Sequence, residues 1–273
     1  MPDKKQSATY KTAMVTFIDI LGFRQLVDAP RDGNANVENI AEILGRLKYS
    51  SERGDLVLSR EGRTQQKFHA FNFSDLTVRC TEFPKGTFSN LYLSWELLYL
   101  GDLQLAFLIE GVLLRGGICM GEIFVDKRQK IIFGPGLVKA YKLESESAVY
   151  PRIVIEREYI SLVENQPGKF CKDYVSQGED GVYFLDYLFG ITSVAIEVSP
   201  ERALMGLNCH REAIESAIRR ETPKRDERIR QKYLWLSLYH NSTIDRLSAR
   251  FKRSKIAIKT IRELRIPKNM LDF

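Results

Sequence analysis

The sequence predicts an α+β protein in which a body of mixed strands and helices is followed by an all-helical extension. Three observations predict it. Short β-branched apolar runs alternate with segments of helical period, strand signals stop after Pro200, and 44% of the 273 residues are hydrophobic, enough for a sizeable core. Disordered and fibrous classes are excluded.

Met14-Val15-Thr16-Phe17-Ile18 reads as a buried strand closing at Asp19, with Gly22 permitting a tight turn. Over 36–49, Val37, Ile40, Ile43, Leu44 and Leu47 fall at helical spacing. Residues 68–73 and 76–80 form two apolar-rich segments separated by Ser74-Asp75, the spacing of a tight hairpin with Asp75 at its turn. A long buried helix is predicted over 88–109, ended by Gly111. Residues 112–124 read as a strand in which Gly116-Gly117 and Gly121 allow close approach of a backbone or ligand. Gly134-Pro135-Gly136 precedes a helix over 137–146, and 151–155 and 182–185 are further strands. Helices follow over 201–220, 225–241 and 243–265, with turn signals at Thr222-Pro223 and Asn241-Ser242-Thr243.

The apolar stretch at 97–114 is interrupted by Gly101, Asp102, Gln104, Glu110 and Gly111, so no membrane span is predicted. The opening Met1-Pro2-Asp3-Lys4-Lys5-Gln6 lacks the order of a secretory signal, and the four cysteines form no close pair in sequence; the expectation is a reducing, cytoplasmic home. Charge is uneven. Residues 201–273 hold 18 Lys and Arg against 9 Asp and Glu, a net +9, and the first 200 residues carry −3. Such a tail fits nucleic acid or a membrane surface, but dispersed charge of both signs more often marks solvated helix faces. With few interleaved aromatics and no recognised motif, no nucleic-acid partner is expected.

Asp19 closing a strand and Asp75 at a hairpin tip are the candidate chemical groups. Singly, each reads as a cap or turn residue. Together, two carboxylates at the ends of buried strands are what a hard divalent cation takes, with substrate phosphate oxygens completing its shell. The following Ile20-Leu21-Gly22-Phe23 turn presents backbone N–H groups suited to a polyphosphate. His69, His210 and His240 show no metal-ligand spacing and read as core or surface residues. Tyr49, at the end of the first helix, suits stacking on a pyrimidine or plain amphipathic packing.

Phe17-Ile18-Asp19-Ile20-Leu21-Gly22-Phe23 resembles the metal-binding opening of the class III nucleotide cyclases. Three further segments match in the same order: Phe73-Ser74-Asp75 on a hairpin, Arg115-Gly116-Gly117-Ile118 on a strand, and the helix that starts at Gly134. The wording Asp-Ile-Leu-Gly-Phe, Asn-Phe-Ser-Asp, Leu-Arg-Gly-Gly-Ile, Phe-Gly-Pro and Tyr150-Pro151-Arg152-Ile153 is similar to the pyrimidine cyclases of the Pycsar antiphage system.

This resemblance implies a ferredoxin-like class III cyclase catalytic core over 12–199 with a basic C-terminal helical extension over 200–273. It implies two Mn²⁺ or Mg²⁺ ions held by Asp19, Asp75 and the Ile20 carbonyl, with Leu21, Gly22 and Phe23 as the phosphate-facing turn. Arg115 matches a phosphate-contacting position; its plain alternative is a surface salt bridge. Phe71 and Ile131 stand where purine cyclases carry base-reading Lys and Asp, Val138 stands at the catalytic Asn, and Lys142 stands at the transition-state Arg. The expected activity is therefore a uridylate cyclase turning UTP into 3′,5′-cyclic UMP and pyrophosphate, working as a homodimer, its product a second messenger for a separate effector in antiphage defence. The alternatives are a cytidylate cyclase using CTP and a nucleotide-binding module that has lost catalysis.

Overall fold

The computed structural model describes residues 9–28, 35–52, 67–83, 90–164, 170–221, 226–251 and 258–270. The first apolar run forms β1 (Lys11–Ile20), in which Ala13, Met14, Val15, Thr16, Phe17 and Ile18 are all buried, so both faces of the strand are covered and it emerges only at Lys11 and Thr12 and, near its other end, at Asp19. A turn leads to α1 (Phe23–Asp28) and then α2 (Ala35–Glu52). The hairpin forms as its spacing predicts: β2 (Lys67–Phe73) and β3 (Leu76–Glu82) pair antiparallel, Phe73 opposite Leu76, with Ser74 and Asp75 as the link. Ser74 adopts φ +57°, a positive value of the kind two-residue hairpin turns use.

The long helix α3 (Asn90–Ile109) buries Leu93, Leu97, Leu100, Leu103 and Phe107 and stops at Gly111, as predicted; residue 88 lies outside the described residues. Next come β4 (Leu114–Asp126), β5 (Ile131–Phe133), α4 (Pro135–Lys142), β6 (Ile153–Ile155), α5 (Arg157–Glu164), β7 (Val175–Gln177) and β8 (Tyr183–Leu185). The helix read over 137–146 starts earlier, because Pro135 is preset for a first helical turn, and changes character at Leu143. There the Ala148 N–H donates to the Leu143 carbonyl five residues back, a π-turn over Leu143–Ser147.

The chain falls into two compact units. The first comprises Met1–Asn90, Arg115–Val149 and Ile153–Ser161. Its strands run in the order β2-β3-β1-β4-β6, with β5 paired to β4. The order β2-β3-β1-β4 is that of a ferredoxin-like sheet. Phe17, Phe71, Val78, Cys80, Cys119, Ile123 and Ala140 form its core, with Leu137 and Leu143 packed against them.

The second unit comprises Leu91–Leu114, Tyr150–Arg152 and Leu162–Phe273. These units do not follow the 199/200 boundary read from strand signals, because Tyr187 bonds to His210 and Asp186 holds Tyr239 and Arg246 across it. Those helices are α6 (Tyr187–Val198), α7 (Pro200–Glu221), α8 (Glu227–Arg250) and α9 (Ile258–Arg262). Thr222-Pro223 lies outside the described residues. The turn expected at Asn241-Ser242-Thr243 does not form, and α8 runs straight through it. The polar side chains serve tertiary contacts instead: Asn241 exchanges two hydrogen bonds with the Ile266 backbone, and the Thr243 hydroxyl bonds back to the Tyr239 carbonyl. No helix among the described residues is long and apolar enough to cross a membrane.

Candidate active site

Asp19 and Asp75 meet at one end of the first unit's sheet. Register explains it, since Asp19 on β1 lies opposite Leu76 of β3, which puts the hairpin tip beside the last residues of β1. The Ile20 N–H donates to the Asp75 carbonyl at 3.3 Å, pinning tip to strand end. Below the tip, Asn72 Oδ1 accepts from the Thr77 hydroxyl at 2.8 Å and lies 3.0 Å from the Ser51 hydroxyl of α2, so the hairpin is braced from the side. The two carboxyl groups are close enough for the Asp75 charge to act on Asp19.

Arg115, at the start of β4, donates its Nε–H to Asp19 Oδ2 at 3.0 Å, and its Nη2 lies 2.7 Å from Glu144 Oε1. Burial holds the Asp19 carboxyl above its ordinary range; the Arg115 guanidinium opposes that rise and the Asp75 charge adds to it. Glu144 is raised for like reasons, burial first, with Arg115 opposing and Asp19 adding. Two carboxyl groups, Asp19 and Glu144, thus share one guanidinium, with Asp75 beside the first.

Two glycines let this cluster close. A methyl on Gly116 would lie 2.4 Å from the Phe17 carbonyl oxygen, and one on Gly117 would lie 2.5 Å from both the Ala140 oxygen and Leu143 Cβ. Without side chains there, β1 and the π-turn approach β4 directly, and Glu144 arrives beside Arg115.

Of the residues singled out in the sequence, Asp19, Asp75 and Arg115 come together, with Ile20 joined to the tip through its amide. Leu21 and Gly22 form the turn after β1, Gly22 at φ +86°, and Phe23 starts α1. Lys142 stands apart, exposed on the last turn of α4 and without an ion pair to Asp19 or Asp75. Val138 and Tyr141 are exposed on the same helix, where the Tyr141 ring meets Phe17 edge-on at 5.5 Å. Tyr49 is exposed within α2, which continues to Glu52. Glu144 and Asn72 carry no sequence signal: an acidic residue in the last turn of the helix expected over 137–146 reads as solvated, and nothing in the spacing signals the π-turn that turns Glu144 inward. Among the described residues no group of three or more His, Cys, Asp and Glu side chains is arranged to hold a metal by itself.

No protein-family model matches the sequence, and no curated protein matches it. Solved structures to which the chain is similar include the adenylyl cyclase CyaB from P. aeruginosa, 15% identical with TM-score 0.45, over 66% of this chain and 96% of that one. Another is a bacterial light-regulated adenylyl cyclase, 12% identical with TM-score 0.43, over 67% of this chain and 54% of that one.

Proposed function

We propose that the chain is a nucleotide cyclase acting on a pyrimidine nucleoside triphosphate, UTP before CTP. The observation that carries this reading is the meeting of Asp19, Asp75 and Arg115 where β1 ends against the hairpin tip. In the reaction the ribose 3′-oxygen attacks the α-phosphorus and the bond to the β-phosphate oxygen breaks. Pyrophosphate leaves, and the hydroxyl proton passes to solvent.

Two half-buried carboxyl groups close to each other, one raised by burial and by its neighbour's charge, fit a hard divalent cation. Asp19, Asp75 and the Ile20 carbonyl would hold two Mg²⁺ or Mn²⁺ ions. Bound there, the ions would polarise the α-phosphate and acidify the 3′-hydroxyl. Arg115 supplies a planar fork of donors for phosphate oxygens, and the Leu21-Gly22-Phe23 turn orients the polyphosphate chain. Lys142 would neutralise charge in the transition state as a point charge without a fork. The work is positioning and charge neutralisation.

A homodimer fits this reading. Tyr10, Ile131, Phe133, Val138 and Tyr141 are large, apolar and 40% to 54% exposed, and Tyr10 and Phe133 touch at 6.0 Å. Such a surface suits a second copy bringing Lys142 to the partner's site. Residues 12–199 would form the catalytic domain and 200–273 a helical extension of a cytoplasmic protein. In that extension Arg246 pairs with Asp186, Arg250 with Asp173, Arg230 with Glu227 and Arg265 with Asp245, which supports a structural role over nucleic-acid binding. The cyclic product would act on a separate effector in antiphage defence. Exposed Val138, where a polar catalytic group is expected, favours as second reading a module that binds nucleotide without turnover. Incubation with each of the four NTPs and Mn²⁺, followed for cyclic product and pyrophosphate, decides: cyclic UMP supports the first reading, binding without product the second.

A further inference from the structure

We propose that Glu144 is a positioning residue that gives Arg115 a second anionic partner, so that the guanidinium can release Asp19 when a divalent cation enters between Asp19 and Asp75. The inference rests on the metal-site reading above and deepens it. Arg115 spans two carboxylates, Asp19 at 3.0 Å through Nε and Glu144 at 2.7 Å through Nη2. The Glu144 side chain is only 4% exposed, whereas Arg115 is 27% and Asp19 17% exposed. Glu144 is thus the inner, fixed anchor, and Asp19 is the more open partner where a cation and Arg115 compete for the same oxygen.

Without Glu144, any cation that took Asp19 Oδ2 would strip a partly buried guanidinium of its carboxylate partners. That loss weighs against metal entry. With Glu144 in place, Arg115 stays paired and its remaining N–H groups are free for phosphate. The π-turn is what makes this possible, since it carries Glu144 against Gly117 on the strand that bears Arg115. A π-turn at such a point is a common mark of a functional site.

The test is Mn²⁺ binding to the full chain without nucleotide, read as free Mn²⁺ by electron paramagnetic resonance, so that turnover plays no part. Glu144→Gln should weaken Mn²⁺ binding about tenfold, because Arg115 then holds to Asp19 alone. In an Arg115→Gln background no guanidinium needs rehousing, and adding Glu144→Gln should cost less than about threefold; that non-additivity is the signature of action through Arg115. Equal losses in both backgrounds would mean that Glu144 acts only as a nearby charge, and would overturn the proposal, as would no loss in either. Should Glu144→Gln not fold, Glu144→Asp takes its place: it keeps the charge, shortens the reach, and should show a smaller loss with the same dependence on Arg115. Wild-type Mn²⁺ binding that persists unchanged in an Asp19→Asn, Asp75→Asn double variant would overturn the metal-site reading and this inference with it. Binding that needs both aspartates, with additive losses at Glu144, would overturn this inference alone.

Discussion

Asp19 and Asp75 lie far apart in sequence, yet the Ile20 N–H bonded to the Asp75 carbonyl holds the hairpin tip beside the end of β1, where the Asp75 charge acts on the Asp19 carboxyl. Folding therefore stabilises the protonated form of Asp19, mainly by burying it. The folded chain binds more protons here than the unfolded one, so this group's contribution to stability declines as pH rises from about 4 through its raised folded value. At neutral pH the ionised carboxylate is a net cost.

Asp19→Asn should accordingly abolish turnover while raising the melting temperature of the metal-free protein, by about 2–4 °C for each ~1 kcal/mol relieved. Mn²⁺ at a hundred times its dissociation constant should stabilise the wild type by about 2.7 kcal/mol and leave the variant unmoved. Scanning calorimetry with and without Mn²⁺ checks both. A variant that melts lower and still responds to Mn²⁺ would contradict the site.

Base choice follows from Phe71, buried on β2, and Ile131, on the β5 edge strand, neither of which can hydrogen-bond a purine. UTP should be converted fastest, CTP next, and ATP and GTP at least about a hundredfold more slowly in kcat/KM, since a missing polar reader costs a few kcal/mol. Faster turnover of either purine in a four-way competition assay would refute the assignment.

β1 and the hairpin were legible because β1 is a β-branched run and because two residues between apolar segments leave little besides a tight turn; the three-residue strands β5 and β7 were not, being too short to show a period. Asp19 and Asp75 were legible as strand-end carboxylates for the same reason. Glu144 was not, since its inward aim depends on a one-residue widening of the helix that no periodicity reports. Asn241-Ser242-Thr243 misled for a related reason: local turn propensity was overridden once Asn241 found the Ile266 backbone to bond.

Gly117 offers a structural test of how the cluster is assembled. A Gly117→Ala methyl would sit 2.5 Å from Leu143 Cβ and the Ala140 oxygen, so the π-turn must move outward and take Glu144 away from Arg115. Overpacking of this kind costs about 1–3 kcal/mol. The variant should fold, melt lower, and lose at least about tenfold in kcat from misplacement of site groups. Gly206, where an added methyl meets nothing within 4 Å, is the control, and Gly206→Ala should leave activity unchanged.

Acid sensitivity should come from the second unit. The His240 Nε2–H donates to the Leu264 carbonyl at 2.8 Å, so its Nδ1 must accept from the His210 Nδ1–H at 3.0 Å, and His210 Nε2 then accepts from the Tyr187 hydroxyl at 2.7 Å. Both rings are held neutral. Burial pushes His240 down to about 4 and His210 well below its ordinary value, with Arg211 and Arg265 adding at His240 and His240 adding at His210. The unfolded chain binds these protons first, so stability is fully present above pH 6.5 and is lost as pH falls toward 4, by about 3 kcal/mol from His240 alone. Thermal melts between pH 7.5 and 4.5 should show a decline that His240→Gln flattens; an unchanged slope in that variant would remove the histidine pair from the account.

The dimer reading makes the most demanding prediction, because it divides one reaction between two chains. Asp19 and Asp75 hold one half of the proposed site, while Lys142 points outward from α4 on the exposed apolar surface formed with Val138 and Tyr141. An Asp19→Ala chain and a Lys142→Ala chain should each be inactive alone. Mixed under conditions that exchange subunits, they should form heterodimers in which one site has its aspartates from one chain and its lysine from the other. The second site would lack both. At equal input half of the dimers are mixed, each with one working site of two, so about a quarter of wild-type activity should return. Heterodimers proven by two affinity tags that show no cyclic product would mean that each site, Lys142 included, is complete within its own chain.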